Sequence, residues 1–379
     1  MISSTKKEIN VKKVMLVFGT RPEAIKMCPL ALALKKYKEI DLKICLTGQH
    51  KDLCPRVLDS FETDYNFDLD VMEKGQTLPE LLCRISERLL PVLTAEKPEL
   101  VLVHGDTASA FAAAHTCFFH GIPIGHVEAG LRTGDPLYPF PEEFFRCGID
   151  MISSLCFAPS EKEKSNLIFE GTDKNKIFVV GNTVADALLR FPGGKSEGFF
   201  PDGTEIPVTL TLHRRETINS GRLYDILYEI RETVESVKGC FAVFPVHPNP
   251  LLKQAAESVF DGCNQVRLIP PLSVDSFHSL LCSSKLVLTD SGGVQEEAAL
   301  LKVPAVILRK RTERPLLFAV LSGLEKGKIK EAVLPLLLNG GSAVFEENDS
   351  GTLKDGRTSE RIARIVCDYL AAALPVSAG

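Results

Sequence analysis

The sequence predicts an α/β protein of two doubly wound domains, each a mostly parallel sheet with helices on both faces. Three observations lead there. Short apolar runs alternate with longer helical patterns along most of the chain, the signature of βαβ units. Most of these runs open into a polar loop, and in open parallel sheets ligands bind outside the carboxyl ends of the strands. A Gly- and Pro-rich stretch without periodicity, FPGGKSEGFFPDGTEIP, separates two such series. The expected division is a first domain over 1–190, a linker over 191–207, a second domain over 208–355 and a C-terminal helix over 356–379 that packs back on the first domain.

At 379 residues the chain has room for about two domains. A 45% hydrophobic, 25% charged composition is that of an ordinary water-soluble globular protein. The net charge of −5 argues against a broad nucleic-acid footprint. No run approaches the ~20 apolar residues of a membrane span. The lysine-bearing start MISSTKKEINVKK is followed only by VMLVF, too short for a signal-peptide core, so a cytoplasmic location is expected. The 11 cysteines are scattered, without C-x-x-C pairs or zinc spacing. Cys45, Cys117 and Cys156 fall inside apolar runs and read as small core residues. Neither a disulfide nor a metal site is expected.

The run 14–18 is a buried strand followed by GTRPEAIKM. Thr20 and Glu23 have capping-box spacing, with Pro22 in the first helical turn. The open N–H groups of that turn favour an anion, and Arg21 and Lys26 add positive charge. An ordinary strand-to-helix turn with solvated basic side chains fits the same residues. The run 42–46 ends in TGQH, which sets Gln49 and His50 at a strand's carboxyl end, although a lone histidine there is as readily a loop residue. A helical pattern over 78–93 leads to the runs 100–103 and 123–127. GDT after the first of these makes Asp106 either a helix cap with Thr107 or a working carboxylate. Glu128 follows the buried-looking IGHV, and burial raises a carboxylate towards the range useful for proton transfer. The same loop continues through Arg132, Asp135 and PLYPFPEE to Glu142, Glu143 and Arg146, more charge than a solvated loop requires. Further strands are expected over 151–157 and 177–180, around a helix over 160–169.

The second series opens with a strand over 208–212, then HRRE and a helix over 223–237. His213 follows the strand directly, and the guanidinium groups of Arg214 and Arg215 match phosphate oxygens in two-point contacts. A solvated helix start with an internal Arg–Glu pair is the alternative. A strand over 241–246 ends in His247-Pro248-Asn249-Pro250, and the run 266–269 leads into PPLSVDSFHSLL. The run 286–289 ends in DSGGVQEEAALL, where Ser291, Gly292 and Gly293 let bare N–H groups and a hydroxyl approach phosphates. Glu297, one turn on, is placed for a ribose. A glycine-tightened turn is the other reading. The run 303–308 leads into RKRTERP. After the Gly340-Gly341 turn, Ile362, Ile365, Val366 and Leu370 share one helical face.

Taken together and in this order, FGTRPEAIKMCPL, TGQH, HGDTASA, HVEAGLRTGD, PFPEE, GNTVADAL, TLHRRE, DSGGVQEEA and TERP resemble the UDP-N-acetylglucosamine 2-epimerases of the non-hydrolysing bacterial type, over about residues 13 to 315. The resemblance implies two Rossmann-like domains facing a central cleft, as in B-type glycosyltransferases. It also implies a homodimer, no metal and no nicotinamide cofactor. UDP would be held by Ser291, Gly292, Gly293 and Glu297, with Phe277 near uracil and Arg21 and His213 near the diphosphate. Asp106, Glu128 and Glu142 would surround the sugar beside Lys26, the acid and base among them left open. Gln49, His50, Arg132, Arg146, Arg214 and His247 complete the implied substrate-binding set, with His213 counted among the catalytic residues. The family reaction removes the C2 proton, expels UDP to leave 2-acetamidoglucal, and adds UDP back with C2 protonated from the opposite face. It supplies surface-polysaccharide precursors.

The chain departs from the family pattern at several points. Phe145 stands where an asparagine is usual, next to Arg146, which would place a ring near the sugar. TERP is followed by Leu316, and the usual glycine-containing segment is not recognisable in SGLEKGKIKEAV. Asp52 and Gly75 occupy effector-contact positions, so regulation by a second UDP-sugar is not expected. A related UDP-2-acetamido sugar as substrate, a hydrolysing epimerase, a B-type glycosyltransferase and a binding protein without catalysis are the alternatives. Carboxylate density over 128–142 favours proton abstraction.

Overall fold

The computed structural model describes residues 11–51, 53–190, 198–312, 316, 318–339 and 355–372. They form two compact units, the first made of those described within 1–187 and 351–379 and the second of those described within 188–350. In the first, strands β1 (Lys12–Phe18), β2 (Ile40–Leu46), β3 (Phe67–Asp68), β4 (Leu100–His104), β5 (Ile124–Val127), β6 (Leu155–Ala158) and β7 (Ile177–Val179) pair in the order β3-β2-β1-β4-β5-β6-β7. Every pairing is parallel, with Phe18 beside Leu46, Leu16 beside Leu102 and His104 beside Val127. The connecting helices are α1 (Arg21–Leu34), α2 (Leu53–Ser60), α3 (Leu78–Glu96), α4 (Ala108–Phe119), α5 (Glu142–Ile152), α6 (Glu161–Phe169) and α7 (Thr183–Arg190). The chain departs in opposite directions from β1 and β4, so the loops after these two strands flank the switch point at which such sheets bind ligands.

The start of α1 shows how local sequence builds this point. Thr20 and Glu23 make both bonds of the capping box, with Pro22 in the first turn. Gly19 is required before it, because a Cβ there would lie 1.8 Å from Thr47 Oγ1 and 2.3 Å from Ser109 Oγ. The Glu23 carboxylate accepts from the Gly19 and Thr20 N–H groups at 3.1 and 2.8 Å and from Thr107 Oγ1 at 2.8 Å. Burial pushes Glu23 up to about 7, and the hydrogen bonds from Thr107, Thr20 and Gly19 only partly oppose it. Its folded pKa thus exceeds its unfolded one. The stability this confers is full below the unfolded value near 4.5 and is lost as pH rises towards about 7. In urea titrations Glu23→Gln should therefore gain about 2 kcal/mol relative to the parent between about pH 5 and pH 8. A pH-independent difference would refute this.

In the second unit, β8 (Ile206–Thr211), β9 (Cys240–Pro245), β10 (Val266–Ile269), β11 (Leu286–Thr289), β12 (Ala305–Ile307) and β13 (Ala319–Leu321) pair in the order β10-β9-β8-β11-β12-β13, again all parallel. Helices α8 (Arg215–Ile218), α9 (Leu223–Glu235), α10 (Pro250–Phe260), α11 (Val274–Cys282), α12 (Gly292–Leu300) and α13 (Lys328–Leu338) connect them. Strand alternation divides the core: Leu286 and Leu288 pack with Leu210, Phe244 and Val333, whereas Val287 packs with Leu281, Ala298 and Ile307 on the other face. The switch point here lies between β8 and β11.

The last helix, α14 (Thr358–Ala372), belongs to the first unit and buries Ile362, Val366 and Leu370. Its first turn is capped from α7, where Asp186 accepts from the Thr358 and Ser359 N–H groups at 3.1 and 2.5 Å. Arg361 donates to the Val180 carbonyl at 2.8 Å. Among the described residues no helix is long and apolar enough to cross a membrane.

The strand expected over 151–157 needs correction. Residues 151 and 152 finish α5, and β6 begins only at Leu155. Phe145 and Ile149 keep the buried side at helical spacing while Met151 is 83% exposed, and Ser153 then turns extended. Strand β8 begins inside the stretch read as linker. Helices α2, α10 and α13 and strands β3 and β13 were not anticipated. Residues 1–10, Asp52, the linker stretch 191–197, residues 313–315 of TERP and the Gly340-Gly341 turn lie outside the described residues.

Candidate active site

The loops after β4 and β5 carry the first unit's carboxylates. Thr107 is the cap of α4, its Oγ1 accepting from the Ala110 N–H at 3.0 Å. Asp106 is thereby left to pair with Arg146, whose Nη2 lies 2.8 Å from Oδ2. Arg146 is buried on α5 and also reaches the Glu142 carbonyl through Nε at 3.4 Å.

Glu128 sits at the end of β5 with a φ of 72°, a left-handed conformation that costs a non-glycine residue about 1–3 kcal/mol. Its side chain is buried and forms an ion pair with the equally buried Lys26 from α1. His104 Nε2 stands 3.6 Å and Asn182 Nδ2 3.5 Å from the same oxygen, Oε2. Two opposite charges withdrawn from water offset each other's desolvation only in contact, which fixes where this carboxylate can be. Lys26 and Glu128 were singled out from sequence, whereas His104 and Asn182 were not assigned. His104 reads as the last residue of a buried strand, and only the sheet brings it beneath Glu128.

Adjacent glutamates differ by their place on α5. Glu143 is buried and braces the preceding loop by accepting from the Thr133 and Gly134 N–H groups at 2.8 and 2.9 Å. Glu142, the predicted catalytic residue, is half-buried in the first turn. The ring of Phe145 lies within the α4–α5 packing, stacked on Phe111 at 4.7 Å and 3% exposed. The expectation of a ring facing the sugar is therefore corrected: one helical step turns residue 145 into the core.

Arg132 is directed into the fold. Its guanidinium closes on Glu170 at 2.7 and 2.6 Å and on Asp150 at 2.8 Å. Gln49 accepts from Ser109 Oγ at 2.7 Å. His50 Nδ1 accepts from the Arg21 N–H at 3.3 Å, so the imidazole covers the first turn of α1.

In the second unit, Asp290 organises the loops after β8 and β11 and was not singled out from sequence. Fully buried, it accepts from the His213 N–H at 3.0 and 3.2 Å and from the Arg214 N–H at 3.0 Å. His213 Nδ1 lies 3.3 Å from Asp290 Oδ1 while the ring is 41% exposed. Burial works to raise Asp290, but the hydrogen bonds and charge of His213 outweigh it and hold the carboxyl below its ordinary value. A buried carboxylate thus fixes the ring of His213 at the switch point. His247 is exposed, its ring 6.4 Å from that of His213, and its Nδ1 accepts from the Asn249 N–H at 3.2 Å.

Ser291 caps α12, its Oγ accepting from the Val294 N–H at 3.4 Å. A Cβ on Gly293 would meet nothing closer than 3.8 Å, so packing does not demand glycine. A bare backbone there leaves room for a ligand against the helix N-terminus. Gly292 is the buried first residue of α12, and Glu297 is half-buried on the same helix. Phe277, on α11, packs into the cluster of Leu281, Val287 and Ile307. The side chains of Arg215 and Glu216 lie outside the described set. Among the described residues no group of three His, Cys, Asp or Glu is placed to hold a metal ion.

Comparison with known proteins places the chain among its relatives. The family model described as UDP-N-acetylglucosamine 2-epimerase matches residues 32–367. The UDP-N-acetylglucosamine 2-epimerase of Bacillus subtilis is 44% identical over 322 residues, 84% of this chain and 83% of that protein. The structure of UDP-GlcNAc 2-epimerase from Neisseria meningitidis bound to UDP-GlcNAc aligns with a TM-score of 0.86 at 35% identity, covering 94% of this chain and 100% of that one. The Methanocaldococcus jannaschii UDP-GlcNAc 2-epimerase in complex with UDP-GlcNAc and UDP aligns with a TM-score of 0.83 at 35% identity, over 94% and 99% of the two chains. A family model matched over most of the length and a relative this similar over more than four-fifths of both sequences establish that the chain belongs to the UDP-N-acetylglucosamine 2-epimerase family.

Proposed function

We propose that the chain interconverts UDP-N-acetylglucosamine and UDP-N-acetylmannosamine by elimination and re-addition. A carboxylate takes the C2 proton, the C2–H pair becomes the C1=C2 double bond, and the C1–O bond breaks with its electrons leaving on UDP. UDP then adds back to C1 of the bound 2-acetamidoglucal while C2 receives a proton on the opposite face. The observation that carries this reading is Glu128, buried, left-handed and in contact with Lys26 at a strand's carboxyl end. That is the environment of a working base, since a surface carboxylate needs neither strain nor a buried ammonium. Asp106, set by Arg146, and Glu142 are the candidates for the second face. The diphosphate is assigned to His213 and the open turn at Gly292–Gly293, and ribose to Glu297.

The enzyme is further assigned to the cytoplasm, as a homodimer that supplies surface-polysaccharide precursors. Dimerisation is supported by Phe118, Phe119, Phe144 and Met151, which stay more than half exposed on α4 and α5, an apolar face of the kind monomers seldom leave in water.

Proton NMR of UDP-N-acetylglucosamine incubated with the protein in deuterated water tests the reaction. Deuterium at C2 of newly formed UDP-N-acetylmannosamine is the expected result. Accumulation of free sugar and UDP would assign a hydrolysing activity instead, and absence of exchange would overturn the reading.

A further inference from the structure

Beneath the two carboxylate loops runs a buried polar chain that the roles above do not use. His126, on β5 and fully buried, has Nε2 2.8 Å from the Gly105 carbonyl and Nδ1 2.6 Å from Asp150 Oδ1. A carbonyl oxygen and a carboxylate only accept, so the geometry calls for an N–H on both ring nitrogens. Asp150 is held in turn from three sides. Its Oδ2 accepts from the Gly130 N–H at 3.1 Å and faces Arg132 Nη2 at 2.8 Å. Arg132 is itself locked by Glu170 and by a bond from Nη1 to the Leu131 carbonyl at 2.7 Å. Burial works to raise Asp150, but the charges and hydrogen bonds of His126 and Arg132 hold it below its ordinary value.

The position of this chain gives it a consequence for chemistry. The Gly105 carbonyl belongs to the peptide bond that joins Gly105 to Asp106, and His126 precedes Glu128 by two residues. One ring therefore ties the Asp106 loop, the Glu128 turn and α5 together. We propose that His126 is a positioning residue for the reaction, its two N–H groups holding the Gly105–Asp106 peptide against Asp150 so that Asp106 and Glu128 keep a fixed separation. This rests on the epimerase reading above. A residue that served only folding would change stability and leave turnover of the folded protein alone, because reacting groups misplaced by about 1 Å cost on the order of 100-fold in rate.

Two substitutions separate the ring's two bonds. His126→Gln keeps an N–H near the Nε2 position and gives up Asp150, whereas His126→Asn keeps one near Nδ1 and gives up the Gly105 carbonyl. His126→Asn should lower kcat about 100-fold with KM within about threefold, and His126→Gln should recover about tenfold of that loss. Equal kcat in the two variants, or a change confined to KM or melting temperature, overturns the proposal. Should His126→Asn fail to fold, Asp150→Asn, of nearly the same shape, is expected to lower kcat at least about tenfold at unchanged KM, and an unaltered kcat overturns the proposal. In the parent protein with 15N-labelled histidine, the ring signals lost in His126→Gln should report an N–H donor on both nitrogens. A single-proton ring overturns the proposal. If the parent enzyme exchanges no C2 proton, the reaction assignment fails, while the ring signals still decide whether His126 donates twice.

Discussion

Glu128→Gln is expected to slow C2 proton exchange by about 10³- to 10⁴-fold while leaving the dissociation constant of UDP within about threefold. Glutamine keeps the length and planar end of the side chain, and its amide oxygen can still face Lys26. What it loses is the ability to take a proton. UDP is assigned to the other unit, where Asp290, His213 and the turn at Gly293 are untouched by the change, so nucleotide affinity is the control that separates lost chemistry from a lost fold. Exchange at more than about a tenth of the parent rate would remove Glu128 from the role of base.

Lys26→Met is the second large effect, and it falls first on stability. Lys26 and Glu128 are each 5% exposed, and breaking a buried ion pair by removing one partner costs about 3–5 kcal/mol. The double variant Lys26→Met, Glu128→Gln removes both charges and should regain most of the loss, since burying two neutral groups carries little of the penalty of burying one ion. Urea unfolding of the three proteins measures this directly. A double variant as unstable as Lys26→Met would show that methionine packing, and not the broken ion pair, is responsible.

Local interactions were legible from the chain. The Thr20–Glu23 box, Pro22 in the first turn and the helix after Ser291 depend on residues within one turn of each other, and their spacing is written in the sequence. Most sheet strands were legible from their apolar runs, because a parallel strand buried on both faces must be apolar throughout. Boundaries failed where an apolar run could continue either element, as at Met151, and phase failed within PFPEEFF. There, a step of one residue decides that Glu143 and Phe145 turn inward while Glu142 stays half-buried.

The sequence by itself determined the alternation of strands and helices, the two parallel sheets, the family, and the presence of carboxylates and a serine–glycine turn at strand ends. Only the tertiary structure decided which side chains those groups meet. Lys26 is 102 residues from Glu128, Asp290 77 from His213, and His126 24 from Asp150. A hydrogen-bond partner one helical turn away leaves a spacing that can be read along the chain. Partners brought together by neighbouring parallel strands are separated by whole crossover connections, and their pairing exists only once the sheet has formed.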